Sequence, residues 1–220
     1  MGKGLLTREQ KQILEFISKD GKITEDFYFT GGTALSYFYF EHRFSEDLDF
    51  FSEREFNSKA LLSSISEVGD RVKAIKIEQQ SLSGQEIFFF HFSGGKKVKV
   101  DFAHFPFTPL GKFLKLNDLK ITSVEDVAVN KVHAITTRKR GRDYFDLYLC
   151  MKKLEWEPSD LRKNYRLKFE IDLSVEQLAT SFLNVLDAQD QPIFLGNQNF
   201  EKVRKFFLKE ADKLKGDILK

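Results

Sequence analysis

The segment of residues 27–51 constrains the fold more than any other part of the chain. It reads as a short apolar strand, a pair of glycines at positions 31 and 32, an apolar helix that ends near Phe40 and a second apolar strand at 48–51. A strand that ends in paired glycines and opens a helix brings backbone N–H groups and the positive end of the helix dipole to one point. The segment therefore predicts an anion-binding turn, although ordinary tight turns use the same residues.

The rest of the chain changes pattern near its middle. Three apolar runs separated by serine- and glycine-containing turns predict a meander of three strands, at 72–77, 87–92 and 98–102. Beyond Pro109 apolar residues recur at helical spacing, and Ser174 with Gln177 has the pattern of a capping box. The sequence thus predicts an α+β fold with a core domain at 1–115 and a helical region at 116–220.

Composition and charge exclude several classes of protein. The 220 residues carry a net charge of +2, so any nucleic-acid-binding surface must be local. A single cysteine, Cys150, excludes an intrachain disulfide and is typical of a reducing compartment. No apolar run approaches the roughly 18 residues that a membrane span needs. We therefore expect a cytoplasmic protein that does not contact a membrane.

Two aspartates occupy alternate positions of the strand that ends the opening segment. Asp47 and Asp49 face one side of that strand, whereas Leu48 and Phe50 face the core. Aspartate is disfavoured in strands, and two like charges on one face repel each other unless a cation neutralises them. Because Mg²⁺ binds one or two carboxylates together with substrate phosphates, the pair predicts a metal site. The alternative is an ordinary strand with a polar outer face.

A third acid lies in another apolar strand. Asp101 stands in the run 98–102, where aspartate is again disfavoured. If this strand lies beside that of Asp47 and Asp49, three carboxylates converge at the predicted metal site. The alternative is that Asp101 begins the loop that leads to Pro106.

Lys131 lies on the apolar face of a predicted helix. The other members of this face are Val124, Val127, Ala128 and Ile135. A lysine at such a position destabilises the fold unless its ammonium group finds a partner, and a bound triphosphate is one such partner. The alternative is that the side chain extends to the edge of the helix and places its charge in water.

A basic run follows this helix and consists of Arg138, Lys139, Arg140 and Arg142. Short basic runs are commonly solvated helix ends, and the same residues suit the binding of a polyanion. Two acids come directly after the run. Asp143 suits the cap of the next helix, and Asp146 is spaced to pair with Arg140 or Arg142.

Together these motifs resemble the nucleotidyltransferase family of AbiEii/AbiGii abortive-infection toxins, which belongs to the polymerase-β-like superfamily. The resemblance covers roughly residues 25–150 and rests on 31–35, 42–51, Asp101, 126–131 and 138–147. It implies a mixed sheet flanked by helices, with the helical C-terminal region completing the active cleft. The implied activity is metal-dependent transfer of a nucleotide from an NTP to an acceptor hydroxyl, with release of pyrophosphate.

The resemblance also implies roles for individual residues. Two Mg²⁺ or Mn²⁺ ions would be held by Asp47, Asp49 and Asp101, and Asp101 would accept the proton of the attacking hydroxyl. Lys131 would neutralise charge on the departing phosphates. The residues expected to bind the nucleotide are Gly31, Gly32, Thr33, Arg43, Ser45, Lys131, Asp143 and Asp146. For three of them a structural role is the alternative: Thr33 suits a helix cap, and Arg43 and Ser45 suit an anchor for the loop before the strand.

The expected partners are an NTP, an acceptor and a cognate antitoxin. The acceptor is expected to be RNA such as tRNA, or a protein, and the basic run at 138–142 would contact it. One alternative is transfer to a small molecule such as an antibiotic. Another is a catalytically silent protein of this fold that binds RNA or a partner; the intact carboxylates and Lys131 argue against it.

Overall fold

The chain forms two compact units. The computed structural model describes residues 5–190, 192–195 and 199–218. Unit 1 comprises Met1–Thr108 and Lys112–Thr122, and unit 2 comprises Pro109–Gly111 and Ser123–Lys220. Unit 1 combines a sheet with helices and unit 2 is mainly helical, which confirms the predicted α+β class.

Unit 1 is built on a mixed β-sheet. Its strands are β1 (Tyr28–Thr30), β2 (Asp47–Ser52), β3 (Lys76–Leu82), β4 (Gln85–His91), β5 (Lys97–His104), β6 (Leu114–Leu116) and β7 (Leu119–Ile121). Across the described residues they form one sheet in the order β3-β4-β5-β2-β1-β7-β6. β2 runs parallel to β5 and antiparallel to β1, while β3, β4 and β5 form the predicted meander. The aspartate strand β2 is therefore central in the sheet.

Helices of unit 1 share an apolar core with this sheet. They are α1 (Arg8–Ile17), α2 (Gly21–Asp26), α3 (Gly31–Leu35), which continues as a π-helical turn at Ser36–Phe40, and α4 (Ser58–Val72). Leu48 and Phe50 of β2 are fully buried, and the Phe50 ring stacks on Phe102 of β5 with 4.9 Å between ring centroids. The predicted alternation of β2 is confirmed, because Asp47 and Asp49 are only partly buried between these core residues.

The first strand of the meander lies later in the chain than predicted. α4 continues to Val72 and is followed by Lys73 in a left-handed conformation, so β3 begins at Lys76 and not near residue 72. Val72 is an apolar residue of the helix stripe that packs in the core. A buried helix end and a strand start give the same local pattern, which explains the error.

A hairpin occupies part of the region beyond Pro109 that was predicted to be helical. β6 pairs with β7, and β7 pairs in parallel with β1. Strands of three residues are too short for their alternation to stand out, but Asn117 marks the turn with a φ of 52° between the triplets LKL and LKI. The hairpin belongs to the second segment of unit 1, Lys112–Thr122.

Unit 2 packs its helices around aromatic side chains. The helices are α5 (Val124–Thr137), α6 (Gly141–Leu154), α7 (Pro158–Phe169), α8 (Val175–Leu183), with a 3₁₀ turn at Asn184–Asp187, and α9 (Phe200–Ile218). The Phe207 ring contacts Tyr144 and Phe182, with centroids 5.3 and 5.2 Å away. The predicted capping box of α8 is confirmed. In the described residues, no helix has both the length and the apolar character that a membrane crossing requires.

Candidate active site

Three carboxylates and one ammonium group share one face of the central sheet. In the parallel pair β2–β5, Asp49 lies opposite Asp101 and Asp47 lies opposite Lys99. Residues that face each other across neighbouring strands point to the same side of a sheet. The structure therefore brings Asp101 beside the aspartate pair, as predicted, and adds Lys99 to the group.

Lys99 binds two of these carboxylates. Its ammonium group donates a hydrogen bond to an Asp101 oxygen and lies 3.8 Å from the nearest oxygen of Asp47. Partial burial alone would lower the pKa of Lys99, but the hydrogen bond to Asp101 and the charges of the three aspartates raise it above its usual value. Lys99 was not among the site residues predicted from the sequence, although its position two residues before Asp101 in a strand is a signal that both share a face.

The glycine turn lies against the second aspartate of the pair. Gly31 has a φ of +77°, and a Cβ atom added to it would lie 2.2 Å from an Asp49 carboxylate oxygen. Only glycine both adopts this conformation readily and leaves room for the carboxylate. The predicted phosphate-binding turn and the aspartate pair are thus in direct contact within unit 1.

Three of the predicted nucleotide-binding residues form hydrogen bonds within or to the loop that leads into β2. The Thr33 hydroxyl is hydrogen bonded to the Ser45 hydroxyl at 2.7 Å, and it also donates to the main-chain oxygen of Asp47. Arg43 is buried and donates to the Phe44 carbonyl oxygen at 3.0 Å. The contacts of Ser45 and Arg43 match the structural alternative for these two residues, which was to anchor the loop. Thr33 lies inside α3 and is not its cap, so its bonds to Ser45 and Asp47 differ from the alternative given for it. Binding of a nucleotide by Thr33, Arg43 or Ser45 stays a prediction.

The carboxylate pair fits a divalent cation. In the described residues, no group of three or more His, Cys, Asp or Glu side chains is arranged to hold a metal ion. Asp47 and Asp49 nevertheless supply two carboxylates on one face, which suits Mg²⁺ because this ion takes one or two carboxylates and completes its shell with water and phosphate oxygens. The donor set fits a cation held by Asp47 and Asp49, and Asp101 as a third ligand stays a prediction.

Lys131 is held inside unit 2 by two fully buried carboxylates. Its ammonium nitrogen lies 2.6 Å from Asp143 Oδ1 and 2.8 Å from Asp146 Oδ2, and Arg138 Nε donates to the other Asp143 oxygen at 2.8 Å. Burial alone would raise the pKa of Asp143, but the charge of Lys131 and the hydrogen bonds from Arg138 and Lys131 lower it. These contacts join α5 to α6 and explain why a lysine is tolerated on the apolar face of α5.

The partners of these acids differ from those suggested by sequence spacing. Asp146 binds Lys131 and is not paired with Arg140 or Arg142 as its spacing suggested. Asp143 stands in the first turn of α6, yet its carboxylate reaches Lys131 and Arg138. Contacts between two helices depend on their packing, which spacing along one helix does not reveal.

The basic run is divided between paired and available side chains. Arg138 is bound to Asp143, and the Lys139 ammonium lies 2.6 Å from Asp187 Oδ2. Arg140 precedes α6 and is exposed, while Arg142 in its first turn is partly buried. For the described residues, no ion pair involving Arg140 or Arg142 is seen. These two arginines are the members of the run best placed to bind an external anion.

We expect the stability of unit 2 to fall in acid because of Asp143. Its pKa is lower in the folded state than in the unfolded chain, so its charge stabilises the fold above the unfolded value of about 3.9. That stabilisation is lost as the pH falls through the lower, folded pKa. Urea unfolding between about pH 5 and about pH 2, followed by fluorescence of the single tryptophan, Trp156, measures the loss. Asp143→Asn should lose less stability over this range; an equal loss would contradict the assignment.

The chain is similar to one known protein family and to several known proteins over most of its length. Residues 16–213 match the family described as "Nucleotidyl transferase AbiEii toxin, Type IV TA system". The chain is 32% identical over 211 residues to the protein aq_aa25 of Aquifex aeolicus (strain VF5), a protein described as uncharacterised, covering 94% of this chain and 96% of that one. Two crystal structures from Helicobacter pylori share the fold.

The structural neighbours are similar over nearly their whole length. JHP933 superimposes with a TM-score of 0.60 at 18% identity, covering 94% of this chain and 89% of JHP933. A second protein, described as a candidate nucleotidyltransferase, gives a TM-score of 0.57 at 17% identity, with 97% and 95% covered. The fold and the matched family define a nucleotidyltransferase. More particularly, the chain belongs to the AbiEii nucleotidyltransferase toxin family of type IV toxin–antitoxin systems.

Proposed function

We propose that the chain transfers a nucleotide from an NTP to an acceptor hydroxyl at the sheet face that carries Asp47 and Asp49. The observation that carries this proposal is the contact between the two elements this chemistry needs. A carboxylate pair that fits Mg²⁺ or Mn²⁺ lies on β2, and the Gly31 backbone packs against Asp49. A phosphate at the glycine turn would therefore lie next to the carboxylates.

Each element of the site has a distinct task in this reaction. Asp47 and Asp49 would hold a divalent cation, which when bound would supply positive charge beside the attacking and leaving oxygens. The backbone N–H groups that follow Gly31 donate to phosphate oxygens. The acceptor oxygen forms a bond to the α-phosphorus, the bond from that phosphorus to the bridging oxygen breaks, and pyrophosphate leaves. The proton of the acceptor hydroxyl passes to solvent or to a neighbouring base.

Gly31→Ala is expected to reduce nucleotide transfer by about a hundredfold. The added methyl carbon would lie 2.2 Å from an Asp49 oxygen, which is too close, so the Asp49 carboxylate must move from its position. Gly84→Ala is the matched control. Gly84 also has a positive φ, of +70°, but a Cβ there would meet only the Cβ of His104 at 3.7 Å. Both variants should lose stability from backbone strain, and only Gly31→Ala should lose transfer. Equal activity in the two variants would contradict the role given to this turn.

The acceptor in this proposal is RNA. The basic run of unit 2 supports this choice because it suits the binding of a polyanion. Incubation of the protein with labelled NTPs and separated fractions of cell RNA, cell protein and aminoglycosides shows which fraction takes the label. Label in RNA supports the proposal, whereas label in protein or in an aminoglycoside assigns a different acceptor. Membership of a type IV toxin–antitoxin family also supports a cognate antitoxin as a partner.

Arg140→Ala combined with Arg142→Ala is expected to weaken RNA binding and to lower its salt slope by about two, because each phosphate contact contributes roughly one unit. Arg138 is left unchanged, since it holds the buried Asp143 carboxylate. The control is Lys152→Ala with Lys153→Ala at the other end of α6, which removes the same charge. Salt-dependent binding measured by fluorescence anisotropy compares the two. An unchanged slope would show that Arg140 and Arg142 do not contact RNA and that the basic run is a solvated helix end.

A further inference from the structure

Phe89 is a partly exposed aromatic residue on the same face of the sheet as the aspartate pair. Its neighbours along β4, Phe88 and Phe90, are fully buried in the core on the opposite face. Across the sheet Phe89 lies opposite Lys99 of β5, which in turn lies opposite Asp47 of β2. A line of side chains therefore runs from an accessible aromatic ring to the proposed cation site, over two strand spacings or roughly 10 Å.

Lys97 places a positive charge on this ring. Its ammonium nitrogen lies 3.8 Å from the centroid of the Phe89 ring, and its side chain is exposed. Lys76, on the same face, is paired with Glu78 at 2.7 Å, and Lys99 is paired with a carboxylate of its own strand. For the part of the chain that the structure describes, no ion pair of Lys97 is seen. Its charge can therefore move to an incoming anion without the loss of a salt bridge.

An aromatic ring beside a cation suits an unpaired nucleobase and its phosphate. Bases of single-stranded RNA stack on aromatic side chains, and nearby cationic side chains follow the phosphates. At an exposed position the cation–π contact of Lys97 with Phe89 is weaker than the stacking of a base on an aromatic ring. A base would therefore displace the ammonium group from the ring, and Lys97 would gain the phosphate as its partner.

The position of the glycine turn indicates the side from which the acceptor approaches. The turn follows β1, and β1 and β5 flank β2 on opposite sides. In an in-line displacement the attacking and leaving oxygens lie on opposite sides of the phosphorus. If pyrophosphate leaves at the turn, on the β1 side of the aspartates, the acceptor hydroxyl approaches from the β5 side. Phe89 lies on that side, one strand beyond β5.

We propose that Phe89 and Lys97 form the acceptor subsite, and that this subsite binds an unpaired nucleotide of the RNA. The base stacks on the Phe89 ring, Lys97 binds the adjoining phosphate, and the ribose lies over Lys99 with its hydroxyl group toward the aspartates. This inference rests on the proposed nucleotide transfer and narrows its acceptor to RNA with a single-stranded segment. A base inside a duplex is already stacked on its neighbours and does not offer its face to the ring.

Fluorescence anisotropy of a short, fluorescein-labelled oligoadenylate tests the inference without metal ion or NTP. Phe89→Leu keeps an apolar side chain but removes the ring, so it should weaken binding by about tenfold at every salt concentration. Lys97→Met removes one phosphate contact, so it should lower the salt slope by about 0.7, the contribution of one phosphate of a single strand. Phe89→Trp retains an aromatic ring and should bind as the wild type does.

A similar pair of residues in unit 2 supplies the matched control. The Lys152 ammonium nitrogen lies 5.5 Å from the centroid of the Phe206 ring, and Phe206 is partly buried as Phe89 is. Phe206→Leu and Lys152→Met make the same two changes and should alter neither the affinity nor the salt slope. Heparin, a polyanion without bases, should bind equally to the wild type and to Phe89→Leu. Circular dichroism establishes that each variant is folded.

Several results would overturn the inference. They are wild-type affinity of Phe89→Leu for oligoadenylate, an equal loss in Phe206→Leu, and equal binding of oligoadenylate and of its duplex with oligouridylate by the wild type. If Phe89→Leu does not fold, Phe89→Trp combined with Trp156→Phe decides, since Trp156 is the single tryptophan of the chain. The fluorescence of this variant should be quenched by oligoadenylate and not by heparin; equal quenching by both would reject the stacking.

Transfer assays separate this inference from the proposed function. With RNA as the acceptor, Phe89→Leu should raise the KM for RNA and leave the KM for NTP unchanged. A raised KM for NTP alone would assign the ring to the incoming nucleotide and reject the acceptor subsite. Oligoadenylate binding as expected without transfer to RNA rejects only the proposed function. Transfer to RNA with unchanged kinetics in Phe89→Leu rejects only the subsite.

Discussion

Asp49→Asn is expected to reduce nucleotide transfer by on the order of a thousandfold while unit 1 remains folded. The amide keeps the shape of the carboxylate beside Gly31 but loses the charge that would hold the cation. The side chain is only partly buried, and its neighbours include the carboxylates of Asp47 and Asp101, so removing its charge also removes repulsion. The loss should therefore be seen in activity and not in folding.

The control for this variant is Glu78→Gln, which makes the same kind of change on the outer strand β3. Glu78 binds Lys76 and His91 and lies outside the aspartate group. Its variant should transfer nucleotide at the wild-type rate. Transfer is measured at saturating Mg²⁺ and NTP, and folding is measured by circular dichroism. If Asp49→Asn keeps more than about a tenth of the wild-type rate, Asp49 is not a ligand of the essential cation.

Asp126→Ala is expected to destabilise unit 2 by about 3–5 kcal/mol, because it leaves a buried ammonium group without its carboxylate. The Asp126 carboxylate binds the buried Lys168 side chain and accepts from the Ser123 hydroxyl at 2.8 Å. It also accepts from the main-chain N–H groups of Leu110 and Gly111, each at 3.0 Å. This residue therefore joins α5 to α7 and fixes the segment Pro109–Gly111 within unit 2.

A second substitution separates the buried charge from the other lost hydrogen bonds. Asp126→Ala combined with Lys168→Met should recover part of the stability, since the ammonium group has been replaced by an apolar side chain. The main-chain donors of Leu110 and Gly111 still lose their acceptor, so recovery should be incomplete. Urea unfolding followed by Trp156 fluorescence gives both values. A loss below about 1 kcal/mol in the single variant would show that Asp126 is not the centre of this network.

Local patterns in the sequence predicted the elements that hold the aspartates. β2 has an unmistakable period of two, because Leu48 and Phe50 must be buried while Asp47 and Asp49 must not be. The glycine pair likewise indicates a tight turn of the backbone. At Gly31 the turn has a positive φ, a conformation that only glycine adopts easily. Such features depend on a few neighbouring residues, so they can be read without knowing the rest of the fold.

Features that depend on contacts between distant segments were not predicted. The ion pair of Lys99 with Asp101 follows from strand alternation, but its approach to Asp47 requires the register of β2 against β5, about fifty residues away. The partners of Lys131 depend on how α6 packs on α5. The short strand β7 is held in place by β1, which lies far from it in the sequence. In each case tertiary packing determines which residues come into contact, and local sequence patterns do not reveal it.

Position-specific labelling of the nucleotide tests the central claim most directly. The protein is incubated with Mg²⁺, cell RNA and an NTP that carries the label either on the α-phosphate or on the γ-phosphate. We expect that α-label enters the acceptor, that γ-label leaves as pyrophosphate, and that neither occurs with Asp49→Asn. Entry of γ-label into the acceptor, release of single phosphate without transfer, or equal transfer by Asp49→Asn would contradict it.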